Sequence, residues 1–247
     1  MLIEVGQVEA LFRYPVKSMA GQRLETANLG WHGLEGDRRL ALRRVDDRSG
    51  MPWLTASQLP GLLLFTPQQR ENGVPGGLPT HVRTPDGEDV PVFGEHLASE
   101  VGRRYGAPVQ MMQLRHGIFD EASISVIASD TVREIGRLSA RNLDMRQFRP
   151  NVVVRLQQSV PFQEDGWLGG VLSFGEGDDA PAIAVTMRDE RCSMVNLDPD
   201  SASPAPEVMK AIVRRNENNA GIYGTVTHTG RLAVGQAIFL RARWEYV

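Results

Sequence analysis

The chain contains a single cysteine, and its thiol lies in a polar, charged stretch. Cys192 is part of DERCSMVNLDPD, residues 189–200, where it stands between Arg191 and Ser193. A lone cysteine is most often a small buried apolar residue that is inert once packed. A neighbouring cation, in contrast, favours the thiolate, the form that ligates metals and attacks electrophiles. The local sequence therefore leaves two alternatives, a packed cysteine and a reactive one.

A second stretch, YPVKSMAG, combines an ammonium group, a hydroxyl group and a turn that ends at glycine. Lys17 and Ser18 follow a strand-like segment that ends at Pro15. With the amides of the turn, these side chains could bind an anion, and a solvated turn is the alternative. Lys17 is conspicuous because Lys210 is the only other lysine among the 27 basic residues.

Three more stretches place polar side chains beside strand-like segments. GLEGDRRLAL contains Asp37 and Arg38, and an arginine fork suits a phosphate, although a structural ion pair is the alternative. In QFRPNVVV, Arg149 and Asn151 flank a proline that fixes the backbone. A guanidinium beside an amide could bind a heterocycle and its phosphate. In NAGIYGTV, Tyr223 stands between two glycines at the start of a strand.

The elements that must position these side chains are mostly strands. VGQVEALFRYPV, RRLALRRV and LLLFTP are strand-like and are separated by turn residues. EHLASEVGRRYG predicts a helix that stops at Gly106, and PEVMKAIVRR predicts another. SISVIASDTVREIGRL predicts a strand followed by a helix, with Ser129, Asp130 or Thr131 as the N-cap and Glu134 placed for a capping box with Thr131. The chain closes with a predicted strand pair, IYGTVTHT and AIFLRARWEYV, joined around Gly230.

These patterns predict a β-rich α+β protein with barrel-like sheets, because strands outnumber helices and several strand pairs are hairpin-like. The loop ENGVPGGLPT, residues 71–80, or the segment after it, is the expected boundary between two parts. We therefore expect one part at residues 1–95 and a second part at residues 96–247.

Composition excludes several classes of protein. The 41% hydrophobic and 23% charged fractions are those of an ordinary globular protein, and no run is long enough for a membrane span. A net charge of −3 gives no reason to expect a nucleic acid partner. One cysteine excludes an intramolecular disulfide, a cysteine-rich zinc site and a four-cysteine iron–sulfur cluster. We expect no signal peptide and a reducing compartment, the cytoplasm.

Taken in order, the motifs resemble the MOSC family, in the branch with an N-terminal β-barrel extension that includes the mitochondrial amidoxime-reducing component and its bacterial relatives. The resemblance spans residue 5 to about residue 240, and it implies an N-terminal β-barrel-like domain at residues 1–95 and a C-terminal β-barrel domain with a few helices at residues 96–247. It is carried by the order and spacing of these motifs: YPVKS, the G and DR of GLEGDRR, LTASQLP, FRPN, the ED and W at residues 164–167, the RC and DP of RCSMVNLDP, and GIY.

This resemblance implies a molybdenum cofactor, a pterin dithiolene with a terminal phosphate. Cys192 would be the protein's ligand to molybdenum and the catalytic residue, since thiolate is the softest donor a protein offers. The family often has hydroxyl residues or Asp–Ala–Pro where this chain has DEAS, so either backbone amides or the Ser123 hydroxyl would make the contact there. The implied cofactor-binding residues are Lys17, Ser18, Arg38, Ser123, Arg149, Asn151 and Tyr223.

The resemblance further implies an oxidoreductase that reduces N-hydroxylated compounds such as amidoximes, hydroxylamines and N-hydroxylated bases. Electrons would come from a separate ferredoxin- or cytochrome-type donor with its reductase. The alternative is a molybdenum cofactor carrier or sulfur-transfer protein without reductase turnover. Pyridoxal phosphate is not expected, because Lys17 and Lys210 are the only candidates for a Schiff base. SMVNL, residues 193–197, lacks the threonines of the animal proteins, so the substrate range is not carried over.

Overall fold

The computed structural model describes residues 2–69 and 77–241, in which strands predominate over helices. The helices are α1 (Glu95–Tyr105), α2 (Ser129–Ser139) and α3 (Glu207–Asn216). The strands are β1 (Leu2–Arg13), β2 (Gln22–Leu24), β3 (Thr26–Gly30), β4 (Gly33–Leu34), β5 (Leu40–Arg44), β6 (Thr66–Gln68), β7 (His81–Arg83), β8 (Asp89–Pro91), β9 (Val109–Gln113), β10 (Ile124–Ala128), β11 (Val152–Leu156), β12 (Val171–Phe174), β13 (Ala182–Glu190), β14 (Asn219–His228), β15 (Gly230–Ala233) and β16 (Ala237–Arg241).

Seven strands form a closed barrel in the order β11–β10–β14–β13–β12–β16–β1. Strand β1 closes the barrel, because it is antiparallel to β11 on one side and to β16 on the other. Leu11 of β1 lies opposite Val152 of β11. The neighbours β10 and β11 are parallel, and α2 supplies the crossover that a parallel pair requires. The first strand of the chain is thus part of a barrel built mainly from its second half.

The apolar run of β11 is buried on both faces of the barrel wall. Val152 and Val154 belong to the cluster that fills the barrel interior. Val153 belongs to a second cluster, outside the wall, with residues of α2 and α3 such as Ile135 and Ile212. Continuous runs of branched residues are typical of strands covered on both sides. The two helices therefore fix the outer face of the barrel beside β10 and β11.

A separate hydrophobic core lies outside the barrel and away from α2 and α3. It joins β5, β9 and the small sheet β6–β7–β8 to helix α1, through residues such as Leu42, Val82 and Leu97. Helix α1 ends at Gly106 in the left-handed conformation, as predicted. The expectation of a β-rich α+β fold with a barrel and few helices is confirmed, while the division at residues 95 and 96 stays a prediction. Within the described ranges no helix has the length and apolarity to cross a membrane.

The predicted capping box of α2 is wrong. The helix begins at Ser129 after Ala128, and Glu134 pairs with Arg137 instead. The Thr131 hydroxyl donates to the buried Glu164 carboxylate at 3.0 Å, whose second oxygen accepts from the Ala128 amide at 3.1 Å. The buried Glu164 carboxylate, distant in sequence, thus accepts the hydrogen bonds at the start of this helix and takes the place of the predicted capping box.

Two strand predictions also need correction. The terminal segments do not form one strand pair, since β14 pairs with β10 and β13, whereas β16 pairs with β1 and β12. Barrel closure brings each segment to other neighbours. LLLFTP begins as a 3-10 helix, Pro60–Leu64, and only its end is in β6. Residues 71–76 of the predicted loop and residues 242–247 of the last predicted strand lie outside the described residues.

Candidate functional site

A pocket of about 550 Å³ brings six of the eight predicted site residues together. It opens between the turn after β1, the turn before β5, the end of the barrel strand β13 and the middle of β14. This volume is in the usual range for a small-molecule or cofactor site. The six predicted residues in its wall are Lys17, Ser18, Arg38, Arg149, Cys192 and Tyr223.

Cys192 lies just beyond β13, at the start of the 3-10 helix Ser193–Asn196, and it is exposed. Its neighbour Arg191 is buried and donates to the Ala220 carbonyl at 2.7 Å and to the Phe148 carbonyl at 2.8 Å. Arg191 also pairs with buried Asp189 at 2.8 Å. These bonds fix the backbone that presents the thiol. None of the described bonds of Arg191 reaches Cys192, so the guanidinium acts here as an anchor.

Lys17 and Ser18 occupy the turn that follows β1. Ser18 has a left-handed backbone with φ of 65°, and the Lys17 amide donates to the Leu40 carbonyl at 2.8 Å. Both side chains are buried at the pocket wall. The Lys17 ammonium forms an ion pair with Asp120 at 2.7 Å, and Asp120 is 62% exposed. The ammonium therefore faces the pocket with a carboxylate already in contact.

Arg38 is held by a buried network around Asn151. Arg38 pairs with Asp37 and donates to the Arg149 carbonyl at 3.0 Å. Asn151 donates to Asp37 at 3.1 Å and accepts from the Ser125 amide at 3.1 Å. Burial alone would lower the pKa of Arg38, but Asp37, Tyr223 and Tyr14 together raise it above its ordinary value. Asn151 does not line the pocket, so its contacts are those of a residue that positions Asp37 and Arg38.

Arg149 differs from the other pocket cations. Its Nη1 donates to the Met19 carbonyl at 2.8 Å, and its guanidinium lies over the Tyr14 ring at 4.1 Å. Its Nη2 is buried and has no hydrogen-bond partner among the described residues. Burial lowers the pKa of Arg149 to about 10, so the guanidinium stays charged at neutral pH. A buried, charged donor without a partner is a group that an anionic ligand would satisfy.

Carboxylates balance most of the charge in this pocket. Lys17, Arg38 and Arg191 pair with Asp120, Asp37 and Asp189, whereas no described carboxylate forms an ion pair with Arg149. Burial raises the pKa of Asp189 to about 6, against the lowering effects of Arg191 and Ser125. Burial also raises the pKa of Tyr223, so its hydroxyl remains a donor at neutral pH.

The structure adds residues to the pocket that sequence reasoning did not assign. Asp120 and Glu121 of DEAS line it, whereas Ser123, the expected contact from that stretch, does not. Thr55 and Ser57 of LTASQLP line it as well. LTASQLP is one of the motifs that carry the resemblance, and DEAS is a stretch where this chain departs from the family, yet neither stretch indicated which of its side chains lines the pocket. Among the described residues, no group of three or more His, Cys, Asp or Glu side chains is placed to hold a metal ion.

Comparisons with known proteins agree with this architecture. The model of the MOSC N-terminal beta barrel domain matches residues 5–116, and that of the MOSC domain matches residues 113–239. Among solved structures, the YuaD protein from Bacillus subtilis is 14% identical over 98% of this chain and 97% of its own, with a TM-score of 0.51. YiiM from Geobacillus stearothermophilus is 18% identical, covers 50% of this chain and 56% of its own, and has a TM-score of 0.39. No curated protein matches the chain.

The similarity to YuaD supports the fold alone, because the identity is low. The two domain models carry the assignment, since they meet at residues 113–116 and together run from residue 5 to residue 239. On this basis the chain belongs to the MOSC domain family.

Proposed function

We propose that this protein binds a molybdenum cofactor in the pocket at Cys192 and reduces N-hydroxylated compounds. One observation carries the proposal: the sole thiol of the chain is exposed in the same pocket as the buried guanidinium of Arg149, whose Nη2 has no hydrogen-bond partner within residues 2–69 and 77–241. Thiolate suits a soft metal, and an unpaired buried guanidinium suits a phosphate. The two groups together match a ligand with a metal centre and an anionic group.

The residues present fit such a cofactor. Cys192 would ligate the metal, and Arg149 would bind the anionic side together with Lys17, Ser18 and Arg38 at the pocket wall. Tyr223 offers a protonated hydroxyl at the same wall. When bound, the cofactor would supply a two-electron reduction, in which the N–O bond of the substrate breaks, two protons are taken up and water is released.

The protein's own contribution is to position these groups. Arg191 and Asp189 hold the backbone beside the thiol, and Asn151 holds Asp37 against Arg38. Asp189 can hold a proton at the pocket wall below about pH 6. The single cysteine cannot build a cysteine-ligated cluster, so electrons would come from a separate ferredoxin- or cytochrome-type donor in the cytoplasm.

The test starts from protein produced in a molybdenum-replete host. Molybdenum and pterin are measured per chain, and benzamidoxime is then offered with a chemical reductant. Near-stoichiometric cofactor with formation of benzamidine supports the proposal. Protein that holds neither molybdenum nor pterin contradicts it. Cofactor transfer to an acceptor protein without turnover would instead identify the carrier or sulfur-transfer function.

A further inference from the structure

Two histidines that are far apart in the sequence meet outside the pocket. His32 follows β3, in the turn before β4, and His116 follows β9. The His116 Nδ1 lies 3.2 Å from the His32 Nε2, and the ring centroids are 4.3 Å apart. Both rings are exposed, so an ion in solution can reach the two nitrogens. Neither histidine belongs to the pocket around Cys192.

The spacing of the two nitrogens is that of two ligands on one metal ion. Zinc binds histidine nitrogens at about 2.0–2.1 Å, so two ligands at a tetrahedral angle lie about 3.3–3.4 Å apart. The two nitrogens, 3.2 Å apart, are close to this separation, whereas the ring centroids are only 4.3 Å apart, so the rings would have to tilt away from each other for both nitrogens to face one ion. A direct hydrogen bond between two neutral rings also fits this distance, so the alternative must be tested.

The backbone around both rings is fixed, which favours chelation. The Leu114 amide donates to the Arg39 carbonyl at 2.8 Å, and the Ile118 amide donates to the Arg38 carbonyl at 2.9 Å, one on each side of His116. On the other segment, Gly30 pairs with Gly33 across the turn that carries His32. Preorganised ligands lose little freedom when the ion binds.

Two cations, Arg39 and Arg115, lie near His116. Their charge weakens the attraction of any dication, so we expect a site of moderate affinity.

We propose that His32 and His116 form a two-imidazole site for a borderline divalent transition-metal ion of the Zn²⁺ class. No third His, Cys, Asp or Glu ligand joins the pair within residues 2–69 and 77–241, so water would complete the coordination. The site is separate from the proposed cofactor pocket. An ion there would tie the segment that leads to Asp120 to the turn between β3 and β4.

The test uses the full chain without a purification tag, with the Cys192 thiol alkylated so that it cannot compete for metal. Zn²⁺ is titrated calorimetrically into the wild type and into His32→Ala, His116→Ala and the double variant. His81→Ala is the matched control, because His81 is a histidine whose ring contacts Thr80 and not another imidazole. Folding of each variant is checked by circular dichroism and by Tm without metal.

We expect one saturable Zn²⁺ site in the wild type and in the control. Loss of a direct ligand should weaken binding at least as much as loss of an outer-shell partner, by about 10–100-fold in each single variant. Zn²⁺ should also raise the Tm of the wild type and leave that of the double variant unchanged. As a second readout, Ni²⁺ should quench Trp31, whose side chain is exposed beside His32.

Equal Zn²⁺ affinity in the wild type and the double variant would overturn the proposal. The absence of saturable binding in the wild type up to millimolar Zn²⁺ would do so as well, and would leave a hydrogen bond between neutral rings as the account of this pair.

Discussion

The thiol end and the cation end of the pocket are built differently. At the thiol end, Cys192 itself is exposed, and the buried contacts belong to its neighbours Arg191 and Asp189. At the cation end, the functional groups are themselves buried and bonded into the fold. Lys17 is paired with Asp120, and Arg149 donates to the Met19 carbonyl.

This difference separates chemistry from stability. A change of the Cys192 side chain removes a reactive atom and almost no packing. A substitution at the cation end removes a buried charge. If that charge has a partner, the partner is left unpaired and the protein loses stability; if it has none, the cost of burying the charge is removed. Variants at the two ends should therefore give opposite patterns of stability and cofactor content.

Cys192→Ser is expected to have the largest effect. Serine keeps nearly the same volume but offers a hard oxygen donor that is reluctant to ionise. Reduction of benzamidoxime should fall by more than about 100-fold, since loss of a direct ligand exceeds the effect of an outer-shell change. Stability should stay within about 0.5 kcal/mol, as for other exposed positions. Pterin content is measured in parallel, and wild-type turnover by the loaded variant would contradict the thiolate-ligand assignment.

Arg149→Met tests the cation end of the pocket. It removes a charge-assisted hydrogen bond to the ligand, worth about 1.5–3 kcal/mol, so cofactor should bind about 10–100-fold more weakly. It also removes a buried charge that pairs with no carboxylate in the described part of the chain, so the cofactor-free protein should be as stable as the wild type or more stable. Cofactor retention and urea unfolding are the measurements.

Arg155→Met is the matched control for Arg149→Met. Arg155 lies on β11 with 59% of its side chain exposed and a distant contact to Glu9. Its replacement should leave both cofactor content and stability unchanged. If Arg149→Met keeps full cofactor content, Arg149 is not part of the anion site.

Asp189, at the thiol end, should make the stability of the protein depend on pH. Its pKa is raised from 3.8 to about 6 in the folded protein, so the folded state holds this proton more tightly than the unfolded chain does. Its contribution to stability therefore falls as the pH rises from about 4 to about 6, by at most about 1.4 kcal/mol per pH unit. Urea unfolding of the wild type and of Asp189→Asn across pH 4–7 should give curves that diverge in this window. Parallel curves would contradict the raised pKa.

The convergence of three motif residues on one pocket could be predicted from sequence, while their roles there stay a prediction. Cys192, Lys17 and Arg149 stand in short motifs whose residue types match an anionic ligand with a soft metal, and the structure places them on one pocket. Their counter-ions could not be predicted. Lys17 and Asp120 are 103 residues apart, and only the tertiary fold pairs them. The same limit applies to Asn151, because its neighbour Arg149 points to the pocket while Asn151 itself is buried behind it.

The fold shows the same division between local and distant signals. Helix α1 and its end at Gly106 follow from spacing and a glycine, both of which are local. The closure of the barrel by β1 opposite β11 joins Leu11 to Val152, and no local pattern specifies that pairing. Glu164 is similar, since its sequence neighbours do not show that it satisfies the start of α2. Non-local pairing is therefore where sequence reasoning failed.

Lys17→Ala should have the smallest effect, and it tests whether an ammonium that already has a partner adds much to anion binding. Because Asp120 neutralises Lys17 and is largely exposed, the loss should be at most about 1 kcal/mol, or about fivefold in cofactor affinity. Lys210→Ala, at the only other lysine and on an exposed position of α3, is the control and should change nothing. Cofactor affinity is measured by retention of pterin during dialysis. If Lys17→Ala proves as damaging as Arg149→Met, Asp120 must release Lys17 when the ligand binds, and the contrast between a paired lysine and an unpaired arginine is lost.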